Sequence, residues 1–272
     1  MIQKNYVFKR LKEMEKLKDT LMLALKEAGK VLRKHYGNLS EIEYKGDVNI
    51  VTQADKESED TIIKIIKDTF PRHQILAEES GVTNEESEYK WIIDPLDGTT
   101  NYAHTLPIFA ISIGIEYKKE IIIGGVYNPI RNELFFAEKG SGAYLNDKKI
   151  YVSKVDKLEQ ALLVTGFPYD RRENVDYYMK VYGEFLKVSQ GVMRLGAAAL
   201  DFCSVACGRL DGYWERKLFP WDQSAGMLIV EEAGGKVTDF SGNKFSYYDK
   251  QVLATNSLIH DEMIRILKKI KH

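Results

Sequence analysis

The sequence has 272 residues, of which 44% are hydrophobic, and its 39 Lys and Arg nearly balance its 40 Asp and Glu. This length allows one large domain or two, and it excludes a small scaffold stapled by disulfides. A formal net charge of -1 gives no overall attraction to a nucleic-acid backbone, so a nucleic-acid partner is not expected.

The start of the chain and its cysteines indicate where the protein works. Residues 1–20 contain no apolar stretch typical of an export signal, and no later window approaches about 18 apolar residues. The two cysteines, Cys203 and Cys207, are too few for a secreted disulfide framework, and their place in an apolar run favours packing in the core. We therefore expect a cytoplasmic protein without a membrane partner.

Two predicted helices open the N-terminal half. Apolar side chains recur every three or four positions from Leu11 to Leu32 and stop before Gly37, as in an amphipathic helix that covers a sheet. A second helix is predicted over 55–68, with Pro71 ending it. Runs rich in Ile, Phe and Tyr then predict strands over 74–77, 91–94, 108–117, 121–127 and 134–137. This succession without long helices favours antiparallel pairing.

Beyond about residue 150, predicted strands and helices alternate. Strands are predicted over 161–165, 213–215, 236–239 and 251–254, and helices over 175–188, 197–207, 221–233 and 259–270. Such alternation is typical of an α/β arrangement. We therefore expect an N-terminal α+β half over 1–150 and a C-terminal α/β half over 151–272.

The segment from Asp94 to Asn101 carries the most informative pattern. Asp94 and Asp97 come directly after an apolar strand and stand three residues apart, so both carboxylates can face one crevice. Gly98 permits close backbone approach, and Thr99 begins a helical turn whose peptide N–H groups can attract an anionic oxygen. Because Mg²⁺ prefers carboxylate oxygens, the segment fits a metal together with a phosphate. Taken alone, it equally fits an Asx-rich turn without a ligand.

Three further acids lie at the ends of predicted elements. Glu78 follows a strand, Asp222 lies in the first turn of a helix, and Asp55 follows Thr52 where another helix begins. Each also has a plainer interpretation: an exposed acidic turn, an acid that complements a helix dipole, and a capping box.

Convergence of the acids would require cations. If Glu78, Asp94, Asp97 and Asp222 share one pocket, their like charges repel strongly unless divalent ions neutralise them. Two or three Mg²⁺ ions could lower the pKa of a bound water, hold a phosphate in line and stabilise the departing alkoxide. The pattern therefore predicts hydrolysis of a phosphate ester.

Four ordered motifs carry a family resemblance that spans nearly the whole chain. They are Val51–Asp55, Ala77–Gly81, Asp94–Tyr102, and Trp221–Asp222 leading to Glu232–Gly235. With them the chain resembles the inositol monophosphatase family of Mg²⁺-dependent, lithium-sensitive phosphatases, whose superfamily includes fructose-1,6-bisphosphatases. The resemblance implies a layered αβαβα sandwich of mixed α+β and α/β type, with an antiparallel-rich first half and a mixed sheet in the second. It also implies a homodimer.

The resemblance implies a centre of two or three Mg²⁺ ions per subunit, held mostly by the N-terminal half. Glu78, Asp94 and the Leu96 carbonyl would hold the first ion. Asp94, Asp97 and Asp222 would hold the second, and a third, weaker ion would contact Glu78.

Catalytic and substrate-binding roles follow from the same resemblance. Thr99, oriented by Asp55, would work with Glu78 to position and deprotonate the attacking water, without a covalent phosphoenzyme. The backbone N–H groups of Gly98 and Thr99 would receive the phosphate oxygens. The residues implied to contact substrate are Lys45, Asp97, Gly98, Thr99, Gly196, Ala197, Ala198, Glu215 and Asp222. Without the resemblance, the helix that begins near Ala197 reads as core.

The activity expected from the resemblance is hydrolysis of inositol 1-phosphate, a small phosphorylated polyol, to inositol and phosphate. Fructose 1,6-bisphosphate and 3'-phosphoadenosine 5'-phosphate are alternative substrates, because some relatives accept them. A non-enzymatic alternative is a regulatory protein that binds RNA polymerase or the ribosome, as some bacterial relatives do. The near-neutral net charge gives that alternative no support.

Overall fold

The structure, a computed structural model, describes residues 2–38, 42–44, 50–83 and 85–270. The helices are α1 (Ile2–His35), α2 (Gln53–Thr69), α3 (Thr99–Ala103), α4 (Val175–Leu186), α5 (Ala198–Ala206), α6 (Pro220–Glu232) and α7 (His260–Lys269). The strands are β1 (Ile42–Tyr44), β2 (Ile50–Thr52), β3 (Gln74–Ala77), β4 (Gly81–Val82), β5 (Tyr89–Asp97), β6 (Ala110–Tyr117), β7 (Glu120–Asn128), β8 (Glu133–Glu138), β9 (Gly142–Leu145), β10 (Lys148–Ile150), β11 (Leu162–Thr165), β12 (Gly191–Met193), β13 (Gly212–Arg216), β14 (Lys236–Thr238) and β15 (Gln251–Thr255).

The larger sheet is antiparallel except at one pair of strands. Its order is β10-β9-β8-β7-β6-β5-β3-β4, and neighbours from β10 to β5 run antiparallel. The expectation of antiparallel pairing is wrong for β3 and β5, which run parallel. The reason is β4: the chain reverses at Gly81 into this short strand, so the next long strand returns in the direction of β3. The carboxyl ends of β3 and β5 therefore meet at one edge.

The smaller sheet mixes both directions. Its order is β12-β11-β13-β15-β14, in which β11 pairs parallel with both β12 and β13. The pairs β13–β15 and β15–β14 run antiparallel. This arrangement confirms the expected mixed sheet of the C-terminal half.

The helices and the two main sheets stack in five layers around three apolar cores. Helices α1 and α2 pack their apolar faces on one side of the larger sheet, around Leu21, Ile62 and Ile113. Helices α5 and α6 fill the space between the two sheets, where Phe202 lies in the core. Helices α4 and α7 cover the outer face of the smaller sheet, around Phe185. The layers follow the order αβαβα, as expected.

Helix boundaries differ modestly from the sequence prediction. Helix α1 begins at Ile2 rather than near Leu11, because no proline interrupts the chain there. Helix α2 begins at Gln53 because the Thr52 hydroxyl accepts a hydrogen bond from the Ala54 N–H (3.1 Å), as an N-cap does. None of the described helices is long and apolar enough to cross a membrane.

Candidate active site

The parallel pairing of β3 and β5 brings two of the predicted acids to one edge. In the register of this pair, Ala77 lies opposite Ile93. The next residues along the two strands are Glu78 and Asp94, and the Glu78 N–H donates to the Ile93 carbonyl oxygen (3.2 Å). An antiparallel pair would have sent these carboxylates to opposite ends of the sheet.

The exit of β5 is irregular, and this shapes the backbone around the second aspartate. The register with β6 shifts between Asp94 and Asp97, where Pro95 cannot donate a ladder hydrogen bond. The Asp94 carboxylate accepts from the Leu96 N–H (3.0 Å), which holds the bulge in shape. Gly98 then adopts φ 88°, and α3 begins at the following residue.

Asp97 links the two halves of the molecule. Its carboxylate oxygens accept hydrogen bonds from the N–H groups of Ala198 (3.1 Å) and Ala199 (2.8 Å). These donors belong to the first turn of α5, where backbone N–H groups have no partner within the helix. An acid of the larger sheet thus caps a helix of the C-terminal half.

Asp222 enters the same region from α6, which packs against β5, β6 and β7. It lies in the first turn of the helix, and its carboxylate accepts from the Phe219 N–H (2.6 Å). The Ser112 hydroxyl of β6 donates to the Trp221 carbonyl oxygen (3.2 Å), which fixes the start of α6 on the sheet. Asp222 therefore complements the dipole of α6 and also lies at the candidate site.

We call Glu78, Asp94, Asp97 and Asp222 the acid centre, because their charges act on one another. Burial raises the pKa of Asp94 well above its ordinary value, and the charges of Glu78, Asp97 and Asp222 raise it further. Burial also raises the pKa of Asp97 to about 7, against the opposing effect of the N–H groups of α5. Burial makes the largest contribution to the raised pKa of Asp222, and the charge of Glu78 makes the next largest.

The chemistry of the acid centre fits a hard divalent cation. Carboxylate and carbonyl oxygens are the ligands that Mg²⁺ prefers, and a cation would offset the repulsion between buried carboxylates. The side chains do not form a ready-made coordination shell, however. Across the described ranges, no three or more His, Cys, Asp and Glu side chains are grouped so as to hold an ion.

Thr99 and Asp55 form a hydrogen-bonded pair beside the acid centre. The Thr99 hydroxyl lies 3.2 Å from Asp55 Oδ1 and 3.0 Å from the Leu96 carbonyl oxygen. Because the hydroxyl has a single proton, it can donate to only one of these oxygens at a time. The other Asp55 oxygen accepts from the N–H (2.8 Å) and hydroxyl (2.6 Å) of Thr52. Burial raises the pKa of Asp55 to about 6, although the bonds from Thr52 oppose this. The capping box is present, and the same aspartate also contacts Thr99.

The residues expected on the substrate side lie around the start of α5 and at the end of β13. Gly196 has φ 85°, and Ala197 and Ala198 lead from it into the turn that Asp97 caps. Glu215 is buried, and it accepts a hydrogen bond from the Tyr213 hydroxyl (2.6 Å). Burial raises the pKa of Glu215 to about 7, and the Tyr213 bond lowers it. The predicted contact Lys45 lies outside the described residues.

The structure assigns supporting roles to two residues for which the sequence pattern predicted none. Buried Glu59 accepts hydrogen bonds from the N–H groups of Glu79 and Ser80 (both 2.9 Å), and so holds the turn that carries Glu78. The Asn101 amide donates to the carbonyl oxygens of Ile108 (2.8 Å) and Leu195 (2.8 Å), which ties α3 to the loop before α5. The four-residue spacing from Asp55 was the signal for Glu59, since it puts both acids on one face of α2.

Comparisons with known proteins agree with this architecture. The sequence model of the inositol monophosphatase family matches residues 13–272. An inositol-1-monophosphatase from a Synechocystis species is 44% identical over 246 residues, which cover 90% of this chain and 86% of that protein. A fructose-1,6-bisphosphatase/inositol-1-monophosphatase from Aquifex aeolicus is 38% identical over 261 residues, 95% of this chain and 98% of that protein. The structure of an inositol monophosphatase from an Anabaena (Nostoc) species has a TM-score of 0.87 and 43% identity, covering 95% of this chain and 98% of the other.

Proposed function

Because the chain belongs to the inositol monophosphatase family and is a phosphatase of that family, we propose that it hydrolyses inositol 1-phosphate to inositol and phosphate in a Mg²⁺-dependent reaction. The observation that carries the proposal is the acid centre. Asp94 and Asp97 are buried on β5, and the charges of Glu78, Asp97 and Asp222 raise the pKa of Asp94, an arrangement that costs stability unless a cation neutralises it. Glu78, Asp94, the Leu96 carbonyl, Asp97 and Asp222 would hold two or three ions.

Bound Mg²⁺ would lower the pKa of a water molecule, hold the phosphate in line and stabilise the leaving alkoxide. The chain's own residues would position the reactants. Asp55 would hold the Thr99 hydroxyl, and Thr99 with Glu78 would orient the attacking water and accept its proton. Backbone N–H groups at Gly98 and Thr99 would receive phosphate oxygens at the start of α3.

The alcohol portion of the substrate would lie between the start of α5 and Glu215. Gly196, Ala197 and Ala198 form the turn beside Asp97, and Glu215 offers a carboxylate that accepts hydrogen bonds from hydroxyl groups. A site built to hydrogen-bond hydroxyls discriminates strongly against esters that lack them. We therefore propose a polyol phosphate as the substrate class, with inositol 1-phosphate preferred.

We also propose that the protein acts as a homodimer. Val175, Met179 and Leu186 of α4 are each about half exposed, although they are large and apolar. Their spacing of four and seven residues places them on one face of the helix. Met193 of neighbouring β12 is also exposed. Exposed apolar side chains on one helix face favour burial against a second copy.

Phosphate release measured with Mg²⁺ and with a chelator tests the proposed reaction. Asp94→Asn and Glu78→Gln should each lower kcat/KM by at least about 100-fold, because each removes a charge from the acid centre. Asp68→Asn, a change at an exposed acid paired with Lys64, is the matched control and should leave kcat/KM within about twofold. Release that is insensitive to the chelator, or to both changes in the acid centre, would refute the proposal.

The substrate is tested separately by kcat/KM on a panel. Inositol 1-phosphate should be preferred over fructose 1,6-bisphosphate and over 3'-phosphoadenosine 5'-phosphate. A higher value for either competitor would move the assignment to that substrate. A chain that released phosphate from none of them would act in another way, such as by binding a protein partner.

A further inference from the structure

Tyr169 lies on a turn that joins the end of β11 to α4. The turn is a short 3-10 helix over Tyr169–Arg172. A few residues earlier, Gly166 packs so closely against the Glu215 carboxylate that a side chain at this glycine would overlap it. The chain therefore leaves β11 directly beside the residue proposed to bind the polyol.

Asp170, the residue after Tyr169, anchors the turn. Its carboxylate accepts hydrogen bonds from the Tyr178 hydroxyl (2.8 Å) and the Asn174 amide (2.8 Å), and it forms an ion pair with Lys217. Lys217 lies in the loop between Glu215 and the start of α6. The turn is thus fixed to the start of α4 and, through Lys217, to the segment that leads from the polyol side to the acid centre.

The charges of the acid centre act on the phenol of Tyr169. After burial, which acts first, the charges of Glu78, Asp222, Asp94 and Asp97 all raise the pKa of its phenol. This effect agrees with the position of the turn, which follows Gly166 beside the Glu215 carboxylate. The side chain is still 51% exposed, and its hydroxyl makes no hydrogen bond with any described residue.

We propose that Tyr169 contacts the substrate and helps to set which phosphate esters the site accepts, an inference that rests on the proposed function. Its hydroxyl donates a hydrogen bond to an oxygen of the alcohol portion, and its ring packs against the carbon skeleton. Asp170 is a positioning residue that holds the turn in place.

A tyrosine suits this position for two physical reasons. A phenol is neutral near pH 7, so the hydroxyl remains a donor when the acids are ionised. A neutral donor also does not compete with cations for the acid centre, as a lysine or arginine would. An aromatic face offers a flat apolar surface to the C–H groups of a ring polyol.

Two substitutions separate the contributions of the hydroxyl and the ring. Tyr169→Phe should lower kcat/KM for inositol 1-phosphate about 10-fold through KM, because one hydrogen bond to the substrate is lost. Tyr169→Ala should lower it further. The inhibition constant of inorganic phosphate, which lacks an alcohol portion, should change less than about twofold in both variants. The matched controls are Tyr151→Phe and Tyr151→Ala, at an exposed tyrosine outside the site.

The role of Asp170 is tested by a double-mutant cycle. Asp170→Asn should raise KM in the same direction as Tyr169→Ala, with kcat little changed. The double variant should be no worse than Tyr169→Ala alone, because both changes act through the same contact. Additive losses would mean that Asp170 supports the fold generally.

The outcomes distinguish this inference from the proposed function. Unchanged KM in Tyr169→Ala, or an equal loss of inorganic phosphate binding, would overturn the role of Tyr169 while leaving the wild-type reaction intact. If the wild type released no phosphate, the proposed function would fail. In that case, calorimetric binding of inositol 1-phosphate to the same variants would test whether Tyr169 contacts the ligand. A wild type that did not bind inositol 1-phosphate would overturn both the role of Tyr169 and the proposed function.

Discussion

Gly98 shows how one residue controls the geometry between Asp97 and Thr99. Its φ of 88° lies in the left-handed region, and a Cβ there would lie 2.9 Å from the Ile108 carbonyl oxygen and 3.1 Å from Ala197 Cβ. Both conditions favour glycine, the first through backbone strain and the second through close packing. The glycine therefore lets the end of β5 approach the start of α5.

Replacement of Gly98 by alanine should lower the free energy of unfolding by about 2 to 4 kcal/mol, because strain and overlap add. Gly140→Ala is the matched control, since φ is 79° there and nothing lies within 4 Å of the added Cβ. It should cost only about 1 kcal/mol. Urea unfolding of both variants measures the difference, and equal losses would show that close approach at Gly98 contributes nothing.

Asp55 illustrates what sequence patterns leave open at the level of a residue. The pattern of Thr52 and Asp55 predicts a capping box or part of a site, and the structure contains the cap. The contact from Asp55 to Thr99 spans 44 positions in the sequence, so no local pattern could reveal it. A helix cap uses one carboxylate oxygen and leaves the other available.

At the level of elements, α2 supports the acid centre through the turn after β3. Glu59→Ala would leave the N–H groups of Glu79 and Ser80 without their acceptor, so the free energy of unfolding should fall by about 2 kcal/mol. We also expect kcat to fall, because this turn carries Glu78. Asp60→Ala, at the exposed neighbouring position on α2, should change the unfolding free energy by less than about 0.5 kcal/mol. Similar effects of both changes on thermal unfolding and kcat would contradict the role of Glu59.

The start of α7 predicts a pH dependence of stability. Both ring nitrogens of buried His260 lie within hydrogen-bond distance of threonine hydroxyls, those of Thr238 (2.9 Å) and Thr255 (2.8 Å). Burial, and secondarily the charge of Lys236, lowers the pKa of His260 to about 4, whereas Asp261 acts in the opposite sense. Between about pH 6.5 and pH 4, the unfolded chain therefore binds a proton that the folded chain does not, and stability falls as the pH falls.

His260→Gln removes this titration. Between pH 7.5 and pH 5, the wild type should lose about 2 kcal/mol more unfolding free energy than the variant. Urea unfolding at the two pH values measures the difference. Parallel losses in wild type and variant would show that His260 does not contribute to the pH dependence.

The elements themselves were largely predictable, and their pairing was less so. Strand β3 occupies the predicted residues, because a run of apolar and β-branched side chains between turn signals specifies a strand locally. The parallel partner of β3 depended on β4, whose two residues are too few to produce a pattern. The convergence of Glu78 and Asp94 follows from that pairing and therefore required the structure.

At the scale of the whole molecule, the site lies where the two sheets are joined through α5 and α6. Asp97 of the larger sheet caps α5, and Asp222 projects from α6, which packs on that sheet. Ligand binding at this position would therefore connect the two halves. The layered fold provides the rigidity that holds buried like charges near one another.

The oligomeric state is also a property of the whole molecule. The wild type should sediment at twice the monomer mass, and Met179→Glu should shift it toward the monomer by placing a charge on the apolar face of α4. Leu23→Glu, at a half-exposed leucine of α1, should leave the dimer intact. A monomeric wild type, or a dimer that tolerates the Met179 change, would contradict the assigned interface.

The central claim is that the acid centre tolerates its buried charges by binding cations. Calorimetric titration of Mg²⁺ into the metal-free protein tests this most directly, independently of any substrate. Saturable binding of two or three ions per subunit is predicted for the wild type, with marked weakening in Asp94→Asn, because this carboxylate interacts with the other three acids. Absence of binding to the wild type, or equal binding by the Asp94 variant, would contradict the account.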